Sequence, residues 1–145
     1  MLTKLLPDQI AKLWDIIRYA IEQSLPPIVG EHPDKMNRLL SSMLSGKVEV
    51  WASYTKEERK FEGIVVTQLL YDDASNTKNL LIYCLYGYVD VNTDSWKEGW
   101  EALNKYAKSL GCHSIMAYST NQFIVDIVKK LDGSTSYTFL SFDVK

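Results

Sequence analysis

The chain has 145 residues, of which 46% are hydrophobic and 23% charged, with a formal net charge of −2. This composition is typical of one globular domain spanning residues 1–145 and excludes a largely disordered chain. Because the balance is acidic and no block of Lys or Arg occurs, no nucleic-acid partner is predicted.

The N-terminal segment MLTKLLPDQI does not fit a signal peptide, because Pro7 interrupts the apolar core that such a peptide needs. No run approaches the roughly 18 apolar residues of a membrane span. The pattern therefore predicts a soluble protein of the cytoplasmic type. Cys84 and Cys112 are interpreted as reduced cysteines, which suits that compartment.

The first half of the chain predicts two helices and then strands. One apolar stripe predicts a helix over 7–23, which the Pro26-Pro27 pair follows. A second helix is expected from Pro33 or Asp34 to Leu44, closed by Gly46. Runs over 47–54, 61–71 and 80–89, joined by short polar turns, predict an antiparallel meander.

Residues 80–120 predict a βαβ unit. They read LLIYCLYGYV, a polar loop DVNTD, a helical SWKEGWEALNKYAKSL, a glycine and HSIMAYST, so two parallel strands are expected with a helix across them. Ser95 and Glu98 fit a capping box, which places the helix start at Ser95. The face expected to pack on the sheet contains Trp100, Leu103 and Ala107. Ligands gather at the carboxyl ends of parallel strands, so the loop over 89–96 should decide the function.

The last part of the chain predicts one more helix and one more strand. Apolar residues at helical spacing favour a helix over 121–131, which Asp132-Gly133 ends. The alternating run SYTFLSFDV predicts a closing strand over 136–144.

This order of elements resembles the fold of the GNAT (Gcn5-related N-acetyltransferase) superfamily. The stretches YAKSLGCHSIMAYSTN and FEGIVV are similar to that family's helix end, glycine, strand and asparagine, and to its strand with an early glycine. The resemblance implies an α+β fold with a mixed sheet, an antiparallel meander followed by a βαβ unit, and helices on both faces. The family's first strand is missing or reduced to 2–6, and the last strand of its usual final pair is missing.

The resemblance also implies where acetyl-coenzyme A would bind. In active members the loop Q/R-x-x-G-x-G/A and the following helix start hold the pyrophosphate. That register falls on Val91, Asp94 and Trp96, with Asn121 at the end of the next strand. Valine replaces the basic or amide residue, a carboxylate repels phosphate, and an indole fills space. No cofactor is therefore predicted, and these four residues are the positions for any binding that survives.

No catalytic residue is predicted. Where the family often places a proton-donating tyrosine, this chain has Val128, and Tyr118 is interpreted as core or surface filler. Glu62, Asp72 and Asp73 could act as a general base but are interpreted as turn and edge carboxylates. The two histidines lack metal-ligand spacing, so no metal site is predicted. The aromatic run, read as strand packing or as a stacking surface, contains Tyr83, Tyr86 and Tyr88.

The absent loop signature favours a catalytically degenerate GNAT-like protein that binds another protein. Small GNAT-like proteins of tailed bacteriophages are similar, and some of those are virion or assembly components, which would place the protein in the host cytoplasm or the virion. One alternative is an active acetyl-coenzyme A-dependent N-acetyltransferase with an atypical coenzyme loop, and another is a small-ligand binding module. The identity of a partner and the oligomeric state stay open.

Overall fold

The computed structural model describes all residues, 1–145, and contains five strands and five helices. The strands are β1 (Leu2–Lys4), β2 (Val48–Tyr54), β3 (Phe61–Asp72), β4 (Thr77–Gly87) and β5 (Ser114–Ala117). The helices are α1 (Pro7–Lys12), α2 (Trp14–Ser24), α3 (Lys35–Leu44), α4 (Thr93–Ser109) and α5 (Gln122–Lys130). None of the five helices has the length and apolar character needed to cross a membrane.

The five strands form one mixed sheet in the order β1-β2-β3-β4-β5. Neighbouring strands from β1 to β4 are antiparallel, and β4 and β5 are parallel. The predicted meander followed by a βαβ unit is confirmed. The two edge strands are short, with three residues in β1 and four in β5.

Helices cover both faces of the sheet, and one hydrophobic cluster lies on each face. The larger cluster joins the first three helices to one face, and its members include Ile17, Ile21, Met43, Val50, Ile64 and Val66. The smaller cluster joins α4 to the other face and consists of Trp51, Val65, Leu80, Leu103 and Ala107. A strand with apolar residues at odd and even positions fits this arrangement, because β4 is covered on both sides.

One detail near the N-terminus differs from the prediction, and another agrees with one of its two alternatives. The single helix expected over 7–23 is two helices, because Leu13 leaves helical geometry with φ −100° and ψ 13°. Hydrogen bonds still cross the break, from the Leu13 amide to Gln9 and from the Ile17 amide to Leu13. A short first strand is present as β1, whose Leu2 pairs with Ser53 of β2.

The predicted capping box of α4 is wrong. The helix begins two residues earlier, because Asn92 is its N-cap and its Oδ1 accepts the Ser95 amide at 2.8 Å. Asparagine caps helices as well as serine does. Glu98 instead lies 3.5 Å from the N-terminal amino group. Trp100, which was expected to pack on the sheet, is 38% exposed.

The predicted closing strand over 136–144 does not form. Residues 134–145 contain no regular secondary structure, and Tyr137 and Phe142 are 95% and 93% exposed. Phe139 makes an edge contact with Tyr118, with ring centroids 5.3 Å apart. An alternating sequence becomes a strand only when its backbone pairs with a sheet edge, and this segment has no such pairing.

Candidate functional site

The sheet opens where β4 and β5 separate. The two strands pair from Asn79 with Ser114 to Ile82 with Ala117 and no further. On its other edge β4 continues beside β3 until Gly87 pairs with Gly63. The edge of β4 from residue 83 to 87 therefore has no neighbouring strand on the β5 side, which leaves backbone groups available to a ligand.

A β-bulge lies at the point of separation. Val66 of β3 pairs with Cys84, but the next residue, Thr67, pairs with Ile82, so Tyr83 is an extra residue in β4. A bulge bends its strand and increases the local twist. We attribute the divergence of β4 from β5 to this extra residue.

Gly63 permits close approach of β3 and β4 beside the opening. A Cβ atom at this position would lie 2.5 Å from the Tyr86 carbonyl oxygen and 3.3 Å from the Gly87 Cα. Both neighbours are backbone atoms that cannot move without parting the strands. This close approach fixes the path of β4 along the opening.

Helices start just after both diverging strands. Asn92 caps α4, and Asn121 caps α5 by accepting the Phe123 amide at 2.9 Å. In the first turn of α4, the Thr93 and Asp94 amides donate no hydrogen bond within the protein. Helix N-termini carry partial positive charge, so the opening is suited to an anionic group.

The residues predicted for a coenzyme loop lie around this opening. Val91 is half-buried in the loop before α4, and the Asp94 side chain is exposed. Trp96 reaches across to α5, where its ring centroid is 6.1 Å from that of Phe123. The Trp96 Nε1 atom is buried and has no hydrogen-bond partner. The predicted Ser95 cap would have occupied amides of the first turn, but Asn92 provides the cap instead.

A buried carboxylate supports the start of α4. Glu62 is 2% exposed and accepts hydrogen bonds from the Ser53 hydroxyl at 2.8 Å and the Ser95 hydroxyl at 3.2 Å. Its interpretation as an edge carboxylate is wrong, because Glu62 lies under α4. Asp72 and Asp73 are exposed in the hairpin between β3 and β4, and hydrogen bonds from Ser75 lower the pKa of Asp72.

A second buried carboxylate supports the other half of α4. Glu49 accepts hydrogen bonds from the Tyr106 hydroxyl at 3.0 Å and the Thr67 hydroxyl at 2.9 Å. Thr67 in turn accepts the Trp51 indole N–H at 3.0 Å. Burial, with Glu49 nearby, raises the pKa of Tyr106 to about 12. The network holds α4 to the sheet while Tyr106 stays protonated.

We expect Tyr106→Phe to flatten the alkaline loss of stability. The phenol titrates near pH 10 when unfolded and near 12 when folded, so its contribution is complete below 10 and disappears as the pH rises towards 12. Urea unfolding of both proteins at increasing pH measures this. A variant that loses stability above pH 10 as steeply as the parent would contradict the assignment. At neutral pH the variant should lose about 1–3 kcal/mol, because Glu49 keeps its burial but loses a donor.

The two positions considered for the proton-donating residue, Val128 and Tyr118, lie in different elements of the fold. Val128 is half-buried in α5, near Gly133, and has no titratable group. Tyr118, interpreted as core or surface filler, is 39% exposed just beyond β5.

The aromatic run of β4 is partly packed, because Tyr86 and Tyr88 contact Tyr19 of α2 with ring centroids 5.8 and 6.0 Å apart.

Sequence reasoning missed two features of the opening. The bulge at Tyr83 has no signal in a strand that is apolar at both odd and even positions. The cap at Asn92 had a signal, since asparagine before a helical run is a known start, but the Ser95 and Glu98 pair masked it.

Solved structures match along the whole chain. AAC(6′)-Iy, in complex with the bisubstrate analogue CoA-S-monomethyl-acetylneamine, shares 11% identity and a TM-score of 0.72, with 100% of this chain and 97% of that chain covered. An aminoglycoside acetyltransferase from an uncultured soil metagenomic sample shares 16% identity and a TM-score of 0.68, with 100% and 97% covered. A predicted acetyltransferase from Clostridium acetobutylicum, with acetyl-CoA, shares 14% identity and a TM-score of 0.67, with 99% and 95% covered. No family model matches the chain, and no curated protein matches it in sequence.

These matches confirm the predicted fold and correct the predicted function. The degenerate protein-binding interpretation is wrong, because the solved structures that match this chain from end to end include acetyltransferases. Two of them hold acetyl-CoA or a coenzyme analogue, which favours the stated alternative, acetyl-CoA, over the prediction of no cofactor.

Proposed function

We propose that this chain, which has the GNAT fold, is an acetyl-CoA-dependent N-acetyltransferase. The observation that carries the proposal is the opening between β4 and β5, which begins at the bulged Tyr83 and lies beside the start of α4. In the reaction an acceptor nitrogen would bond to the acetyl carbon as the carbon–sulfur bond breaks, and the proton lost by the nitrogen would end on the released sulfur as a thiol. The matches run along the whole chain, which supports the further proposal that residues 1–145 form one domain.

The residues at the opening fit the coenzyme. The free amides of Thr93 and Asp94 would receive its phosphates, as helix starts do for anions generally. The Trp96 Nε1 is a buried donor without a partner. A buried donor without an acceptor lowers the stability of a protein, and a bound coenzyme would supply the missing acceptor. The unpaired edge of β4 would hold the extended arm. When bound, the coenzyme supplies the acetyl group as an activated thioester.

Two departures from the family pattern affect affinity rather than exclude binding. The Asp94 carboxylate is exposed, so it can turn towards water and is partly screened from a phosphate. Val91 supplies no charge to the phosphates, so affinity should depend on backbone amides and on Trp96. We therefore expect binding weaker than a loop with a basic residue would give.

Isothermal titration with acetyl-CoA tests the proposal. The parent protein should bind with a dissociation constant below about 1 mM, equivalent to about 4 kcal/mol. Trp96→Phe keeps an aromatic ring against Phe123 but removes the N–H, so binding should weaken by about three- to tenfold, the value of one hydrogen bond.

Trp100→Phe is the matched control, because this tryptophan is exposed and outside the opening. It should bind as the parent does. Release of free thiol in the presence of an amine acceptor reports the transfer itself. A parent protein that does not bind the coenzyme would overturn the proposed function.

A further inference from the structure

A second concave surface lies between α2, the loop over 25–34 and α3. It consists of a cavity of about 400 Å³ and an adjoining one of about 290 Å³. The two share four lining residues and therefore form one cleft; these are Leu25, His32, Lys35 and Met36. Its size is that of a site for a small molecule, and no residue of α4, β5 or α5 lines it.

The lining of this α2–α3 cleft is strongly basic. Its cationic side chains are Arg18, Lys35, Arg38 and Lys47, against the single carboxylate of Glu22. Arg18 pairs with Glu22 at 2.8 Å, and Lys35 pairs with Glu31 at 3.3 Å. Arg38 and Lys47 have no ion-pair partner in the structure. A local excess of positive charge on a chain of net charge −2 indicates an anionic ligand.

The histidine of the cleft adds a neutral donor. His32 Nδ1 accepts the Asp34 amide at 3.0 Å, which leaves the ring proton on Nε2. Asn37, Ser42 and Gln68 supply further polar atoms to the lining. The cleft therefore offers positive charge and hydrogen-bond donors together, the combination that carboxylate and phosphate groups need.

One residue connects the cleft to the opening between β4 and β5. Tyr83 belongs to the lining of the smaller cavity. The Tyr83 backbone is the bulge after which β4 loses its β5 partner. A molecule in the cleft would thus lie against the residue at which the proposed coenzyme opening begins.

We propose that the α2–α3 cleft binds the acetyl acceptor and selects amines that also carry a carboxylate or phosphate. This inference rests on the proposed function and specifies its acceptor. Arg38 and Lys47 attract the anionic group of the acceptor. The amine end of the acceptor lies beside Tyr83, where the opening begins. The same charges repel polycations, so aminoglycosides should be poor acceptors here, although related folds acetylate them.

Matched pairs of amines test the selection. O-Phosphoethanolamine is compared with ethanolamine, and γ-aminobutyrate with butylamine, so that each pair differs only in the anionic group. We expect kcat/KM to be at least about tenfold higher for the anionic member of one pair or both. Which pair shows the larger ratio distinguishes phosphate from carboxylate. Equal rates within both pairs, or preference for neamine, would overturn the inference.

The double variant Arg38→Gln/Lys47→Gln should raise KM for the anionic acceptors. The ratio of kcat/KM between the anionic and the neutral amine of each pair should therefore fall close to one. Lys105→Gln/Lys145→Gln removes the same charge from exposed positions outside the cleft and should leave the ratio unchanged. Acetyl-CoA binding should be the same in both variants. If the control variant lowers the ratio as much as the cleft variant, net charge rather than the cleft sets the preference, and the inference is wrong.

Binding without turnover gives an independent readout. In ¹H–¹⁵N spectra of the protein without coenzyme, O-phosphoethanolamine should shift the amides of His32, Arg38 and Lys47, and the shifts should disappear in the cleft variant. Shifts confined to other surfaces would overturn the inference even if transfer occurs. Failure of the proposed function is distinguished by titration, because it would appear as absent acetyl-CoA binding in the parent. Failure of this inference alone would leave that binding intact.

Discussion

Leu103→Ala is expected to destabilise the protein by about 2–5 kcal/mol, the range for truncating a buried leucine. Leu103 is 4% exposed and joins α4 to Trp51, Val65 and Leu80 of the sheet. This cluster contains only five buried residues, so few buried side chains can shift to fill the cavity that the truncation creates. Urea unfolding followed by circular dichroism measures the loss.

Glu58→Ala is the control for this prediction. Glu58 lies in the turn between β2 and β3 and pairs with Lys60 at 2.9 Å, but both side chains are more than half exposed. Exposed ion pairs contribute little, so the change should be below about 0.5 kcal/mol. Equal losses for the two variants would show that α4 is not held by its buried face.

Gly63→Ala is expected to cost about 1–3 kcal/mol or more, because the new Cβ would lie 2.5 Å from the Tyr86 carbonyl oxygen. The clash is with backbone, so β3 and β4 must part beside the opening. Coenzyme binding should weaken together with stability, because the same segment of β4 forms one side of the opening.

Gly99→Ala makes the same chemical change without a clash. Nothing lies within 4 Å of a Cβ at Gly99, which is inside α4, so alanine should stabilise the helix by about 0.5–1 kcal/mol. The two variants should therefore shift the melting temperature in opposite directions. A stabilising Gly63→Ala would contradict the close approach of the two strands.

The kinds of elements and their order could be predicted from the sequence. Apolar residues at helical spacing predicted α3, α4 and α5 within a few residues of their observed bounds, as well as the span that α1 and α2 share, and the polar turns separated β2, β3 and β4. These signals are local, since one face of each element must be apolar to pack. The parallel pairing of β4 with β5 followed from the helix between them.

The candidate site could be predicted only in its position. A ligand site at the carboxyl ends of the parallel strands was expected, but its chemistry was inferred from the side chains Val91, Asp94 and Trp96. A coenzyme of this kind is bound largely by backbone amides and a free strand edge, and side-chain identity reports neither. That is why an unfamiliar loop suggested lost function, although the free amides and the unpaired strand edge that the proposed coenzyme would use are present.

Sequence by itself determined the fold class, because hydrophobic periodicity specifies which faces are buried whatever their partners. Tertiary structure alone decided that Tyr83 is a bulge and that residues 134–145 form no strand. It also decided that Glu49 and Glu62 are buried, because carboxylates lie inside only where donors from distant segments converge on them. Those convergences join residues far apart in the chain, so no local pattern contains them.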